Sequence, residues 1–187
     1  MFHDPILRRA ALLAPALLFG LATAAGANTT LPPRKPGFWV TTMVMHMSMP
    51  GAPAMAQAIS SGAPIVSAMC TDPSIDALEM KRMTGDNGHC QSFDIEGGGS
   101  VYTVTGVCTD PMGGGTMTTH GTFTIASADE ILVHSTTTSA HMSGDMTGDS
   151  KWSGPCPAGI VPGDIGHMVN GNFVKLTNIK DMPQTPQ

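Results

Sequence analysis

Phe38-Trp39-Val40-Thr41-Thr42-Met43-Val44-Met45-His46-Met47-Ser48-Met49 is the stretch that decides the fold. Trp39, Thr41, Met43, Met45, Met47 and Met49 share one parity; Val40, Val44, His46 and Ser48 take the other. Strand side chains point alternately to the two faces of a sheet, so this run reads as a strand with a methionine-lined side. The pattern persists downstream. Ile65–Cys70, His89–Ile95, Ser100–Thr109, Thr116–Ala126, Glu130–Met142 and Met146–Gly154 are rich in Thr, Val and Ile and short of helical periodicity. Gly97–Gly99, Gly113–Gly115, Ser127–Asp129 and Ser143–Asp145 supply the turns between strands. The predicted class is mainly β: an antiparallel meander forming a curved sheet or a partly closed barrel, with one short helix. That helix spans Asp72–Met83, where Asp72 caps and Pro73 takes the first helical position. Residues 50–64, rich in Ala, Pro, Gly and Ser, read as a loop.

The start of the chain reads as an export signal. Arg8 and Arg9 precede the apolar run Ala10–Ala22, and Ala22-Thr23-Ala24 and Ala25-Gly26-Ala27 fit a small-residue cleavage site. A membrane anchor needs roughly 20 apolar residues, and Pro15 and Gly20 interrupt this shorter run. The organisation expected is a signal peptide over 1–27, a short linker over 28–35, a β domain over 36–156 and a Gly/Pro-rich extension over 157–187. The extension is expected to be partly disordered, with one short apolar stretch at Phe173–Leu176. No second apolar span follows, so no membrane span is expected in the mature form, and the predicted location is the periplasm. With 14 acidic against 9 basic side chains, the charge balance disfavours nucleic acid, which calls for clustered Lys and Arg.

Cys70, Cys90, Cys108 and Cys156 form no C-x-x-C pair, which disfavours a zinc ribbon or a thioredoxin-type site. An even count in an exported chain reads as two disulfides, and three connectivities are open. The simplest expectation is sequential pairing, Cys70 with Cys90 and Cys108 with Cys156. Cys-Thr-Asp-Pro occurs at both Cys70–Pro73 and Cys108–Pro111, and reads as Asp-Pro turn initiation after two similar strands.

The order Pro36-Gly37-Phe38-Trp39, the Met43–Met49 strand, Cys70-Thr71-Asp72-Pro73, Cys90, Cys108 and Cys156 resembles a bacterial periplasmic family known only as a domain of unknown function, numbered 3617. The resemblance covers Pro36 to Cys156. The chain departs from it at Phe38, where the family carries leucine, at Ser153-Gly154-Pro155, and in its longer tail. The resemblance implies compartment and fold and brings no activity.

Methionine is the compositional anomaly, with 15 in the chain. Met45-His46-Met47, His141-Met142 and His167-Met168 place thioethers beside imidazoles, and Met117 lies three residues before His120. That ligand set suits Cu(I). Adjacent strand residues face opposite ways, however, so His46 cannot easily share an ion with Met45 or Met47, whereas Met43, Met45 and Met47 can converge. The copper reading therefore rests on Met43, Met45, His46 and Met47, with Met117 or His141 as further ligands. Methionine also simply packs, or lines adaptable apolar surfaces. A pocket on the same face would have Trp39, Met43, Met45, Met47, Tyr102, Val104, Met117, Phe123 and Ile125 as its wall.

Catalytic signatures are absent: there is no G-x-S-x-G, S-x-x-K, H-E-x-x-H or phosphate-cradling loop. Asp94 and Glu96 share a strand face and read as solvated carboxylates beside a glycine turn. The expected function is that of an exported, non-enzymatic binding protein. Its ligand is a small hydrophobic molecule or an envelope partner met by the Met-rich face. Periplasmic Cu(I) binding and a structural envelope role are the alternatives.

Overall fold

The computed structural model describes residues 29–49, 62–83, 90–110, 113 and 115–182. The expected export signal, most of the expected 50–64 loop and the expected Gly85–Gly88 turn lie outside the described residues. Nine strands are present among those described: β1 (Gly37–Ser48), β2 (Ile65–Thr71), β3 (Cys90–Gly98), β4 (Val101–Thr109), β5 (Thr116–Ser127), β6 (Glu130–Thr138), β7 (Ser143–Trp152), β8 (Asp164–Val169) and β9 (Asn172–Asn178). One helix, α1 (Pro73–Met83), follows β2, and a 3-10 turn at Ile179–Asp181 follows β9.

The strands form a single antiparallel sheet in the order β3-β4-β5-β6-β7-β1-β2-β8-β9, and the sheet is not closed. β3 to β7 are the expected meander. β1 does not start that meander but inserts between β7 and β2, with Met45 opposite Met146 and Phe38 opposite Cys70. The turn expected at Ser143–Asp145 falls earlier. Ser143 already opens β7, and the chain reverses over residues 139–142, where Ser139 Oγ accepts from the amides of His141 and Met142.

The sheet is strongly curled, as the span of α1 demonstrates. Met80 of α1 packs on Ile95, Tyr102 and Val104 of β3 and β4, although α1 starts immediately after β2. β2 and β4 are five strand positions apart, about 24 Å in a flat sheet at ~4.8 Å per strand. The whole of α1, at 11 residues, is only about 16 Å long at ~1.5 Å per residue. The gap closes only if the sheet wraps round the helix. The face carrying Trp39, Tyr102 and Met45 is therefore the inner one. α1 begins as expected: Asp72 accepts from the amides of Ser74 and Ile75 at 2.9 and 3.0 Å, and its last turn carries Lys81 and Arg82. The Ser74 hydroxyl, and then the Ile75 amide, hold the Asp72 carboxyl below its ordinary value.

Residues 29–36, which take in most of the expected 28–35 linker, form a strap across the wrapped sheet. The Thr29 amide donates to the Ile95 carbonyl on the free edge of β3, and Leu31 packs beside Ile95. Arg34 donates to Asp76 at 2.7 Å and to Glu79, both on α1. Burial pushes the Glu79 carboxyl up, against the pull of the Arg34 charge. The indoles of Trp39 and Trp152 donate to the Lys35 and Pro36 carbonyls at 2.8 and 3.0 Å. Lys35 sits 3.4 Å from the Trp152 ring centre and 2.8 Å from Asp129.

The cysteines correct the sequential pairing. Cys70 bonds Cys156, and Cys90 bonds Cys108. Cys90 and Cys108 face each other across β3 and β4, a proximity set by strand register. Cys156 lies in the segment that crosses the outer face, where Cys156 and Ile160 cover Phe38, Ala68 and Cys70. Beyond Cys156 the sheet continues. β8 pairs with β2, the Phe173 ring of β9 meets Phe38 edge-on at 5.2 Å, and Asn178 binds the buried Asp164 at 2.8 Å. Among the described residues no helix is long and apolar enough to cross a membrane.

Candidate functional site

Strand register assembles the inner face row by row. One row runs Met45, Met146, Ser135, Gly121, Val104, Ile95 across six strands. The row on one side is Met43, Gly148, Val133, Phe123, Tyr102, and the row on the other is Met47, Gly144, Thr137, Thr119, Gly106, Phe93. Large side chains thus lie beside glycines. A Cβ on Gly144 would come within 3.3 Å of Met47 Cγ, and one on Gly106 within 3.2 Å of the Phe93 ring. These glycines make room for long neighbours to lie across the strand.

Burial is graded along this face. At one end Trp39, Ile95, Tyr102 and Val104 are buried, beneath α1 and the strap. Met43 and Met45, which share rows with Tyr102 and Val104, and Met47, Met146 and Met117, running toward the other end, are half-buried, together with Ser135, Thr137 and Thr119. Thr119 and Thr137 share a hydrogen bond of 3.1 Å, and Met117 stands opposite Cys108 of the second disulfide. Of the predicted wall, Trp39, Tyr102 and Val104 are therefore packed core. Phe123 and Ile125 flank that core, and Met43, Met45, Met47 and Met117 occupy the less covered end. Met146, directly opposite Met45, was missed by sequence reasoning. The spacing Gly144-x-Met146-x-Gly148, which puts all three on one face, carried the signal.

The expected metal set divides between surfaces. Met43, Met45 and Met47 share the inner face, whereas His46 projects from the outer one, opposite Asp145. His141 is exposed in the 139–142 turn. No group of three or more His, Cys, Asp or Glu among the described residues is placed to hold a metal. The thioethers thus stand together without the imidazoles, because a strand sends neighbouring residues to opposite faces.

A family model described as a protein of unknown function, DUF3617, matches residues 34–156. The chain belongs to this family. The DUF3617 stretch opens at the Arg34 strap and closes at Cys156, so it holds β1 to β7, α1 and both disulfides; β8 and β9 follow it. A comparison with curated proteins found no match. Two disulfides in this DUF3617 chain fit an exported protein.

Proposed function

We propose that the protein is a non-catalytic periplasmic binding protein that takes a small, flexible apolar ligand at the methionine end of the inner face. The observation that carries this reading is the burial gradient. α1 and the strap fill the tryptophan end of the wrapped sheet, while Met43, Met45, Met47 and Met146 are left half-covered over glycine-floored strands. Unbranched thioether side chains adapt to ligands of irregular shape. Wrapped β-sheets commonly hold one small ligand inside. The test is native mass spectrometry of the purified protein, followed by titration with a fluorescent C18 fatty acid. Replacing Met45 and Met146 by Gln is expected to weaken that probe at least tenfold while leaving the melting temperature within a few degrees. Equal probe affinity in wild type and variant, or no saturable binding, refutes the reading.

The opposition of Met45 and Met146, flanked by Met43 and Met47, favours Cu(I) as a second reading, since clustered thioethers are soft ligands. Replacing these four methionines by Leu keeps the apolar surface and removes the sulfur. Retained fatty-acid binding with lost Cu(I) binding, measured by competition with a Cu(I) chelator, identifies a metal carrier. Fatty-acid binding kept in both proteins, with no saturable Cu(I) binding in the wild type, identifies an apolar-ligand carrier.

A further inference from the structure

The outer face carries chemistry of a different kind. There one row runs His46, Asp145, Thr136, His120, Thr105, Asp94 across β1, β7, β6, β5, β4 and β3. His134, two residues before Thr136 on β6, shares that face. Its Nε2 lies 2.7 Å from Asp145 Oδ2, and both side chains are exposed, at 57% and 45%. His134 and His120 line a shallow threonine-walled depression of about 360 Å³ with Thr103, Thr105, Thr122 and Thr136. Asp145 on β7 thus lies between β6, whose His134 imidazole it binds, and β1, whose His46 is its register partner.

We propose that His46, Asp145 and His134 form a surface site for a divalent transition metal, Zn(II) or Cu(II), that assembles when the ion arrives. Two imidazoles, one carboxylate and a solvent molecule make a four-coordinate set of the kind zinc accepts, and nitrogen ligands of this type also suit Cu(II). The His134–Asp145 hydrogen bond stands where the ion would sit. Ligand bonds of about 2.0–2.1 Å at tetrahedral angles place N and O roughly 3.3 Å apart. The pair therefore opens by a few tenths of an ångström, which two exposed side chains accommodate. His46 and Asp145 are directly opposed across antiparallel strands, where Cβ atoms lie about 4.5–5.5 Å apart, so a rotamer change brings the third ligand in. The His46 ring now rests against Gly62, where a Cβ would meet it at 2.2 Å. Among the described residues no three-ligand cluster stands ready-made; metal binding would draw the ring from that contact to complete one.

The experiment is calorimetric titration of the mature protein with Zn(II) alone. One saturable equivalent is expected, at least tenfold weaker in His134→Ala, Asp145→Asn and His46→Ala, and unchanged in His120→Ala and in the four-methionine Leu variant. Imidazole proton signals of His46 and His134 should shift in step with the titration. The exposed positions allow each variant to fold, which its melting curve checks. No saturable binding, or affinity unchanged in His134→Ala and Asp145→Asn, overturns the site. Loss in His120→Ala with none in His46→Ala overturns the assigned ligand set.

Discussion

Removing the disulfides one at a time is expected to rank them, Cys70–Cys156 above Cys90–Cys108. The first closes 86 residues of chain and the second 18. On the loop-entropy model those closures contribute about 4.6 and about 3.2 kcal/mol at 25 °C, through restriction of the unfolded chain. A second contribution acts in the same direction. Cys70 is fully buried among Phe38 and Ala68, with Cys156 packed against them. Deleting two sulfur atoms there leaves a cavity costing on the order of 1 kcal/mol. Replacing both Cys70 and Cys156 by Ala should therefore cost about 2 kcal/mol more than replacing Cys90 and Cys108, a large fraction of the usual 5–15 kcal/mol. Urea unfolding monitored by tryptophan fluorescence measures both, compared as extrapolated free energies because the cross-link also changes the slope. Equal costs, or a larger loss on removing the shorter bridge, would refute the reasoning. A single Cys90→Ala change provides the connectivity check. Alkylation and peptide mapping should then find the free thiol at Cys108; a free thiol at Cys70 would mean the cross-strand assignment is wrong.

Glycines on the sheet should separate sharply under alanine substitution. A Cβ at Gly148 meets nothing closer than Val133 Cβ at 3.6 Å, so Gly148→Ala is expected to stabilise by about 0.5–1 kcal/mol in thermal melts. At Gly166 it would sit 2.1 Å from the Val174 carbonyl, so Gly166→Ala should expose the amides of β8 and β9 to hydrogen exchange. Phe173→Ala removes the edge-on partner of Phe38 and is expected to cost about 3 kcal/mol in urea titrations. For Asp164, burial pushes the carboxyl up, but hydrogen bonds from Lys175, Asn178 and the Val161 amide outweigh it and hold the group below its ordinary value. Its contribution is therefore complete above the unfolded value of about 3.9 and lost as pH falls through the lower folded value. The stability gap between wild type and Asp164→Asn should accordingly shrink in melts run from pH 6 down to pH 2; a gap independent of pH contradicts the assignment.

What the sequence made legible was local. Alternation from Phe38 to Met49 placed β1 and its methionine side, because strand period is a property of neighbouring residues. The β3 to β7 meander followed from short turns such as Ser127–Asp129. The place of β1 was not legible, since its insertion between β7 and β2 depends on contacts between residues about 100 positions apart, such as Thr41 and Ser150. The same distance hid the Cys70–Cys156 bond. The β8–β9 hairpin was obscured by Gly and Pro, although Asn170-Gly171, with positive φ at both residues, is a strong hairpin signal in the sequence. Both candidate sites share this division. That Met45 and His46 face opposite ways can be read from adjacency alone. That His134 meets Asp145 depends on the β6–β7 register set by the four-residue reversal at 139–142, and that Met45 meets Met146 depends further on the long-range β1–β7 pairing. A one-residue slip there would move every β7 side chain to the other face, sending Asp145 inward and Met146 outward. The reversal is therefore the joint on which both faces depend. Lengthening it by a single residue should disable both proposed binding activities together, whereas any single side-chain change disables at most one.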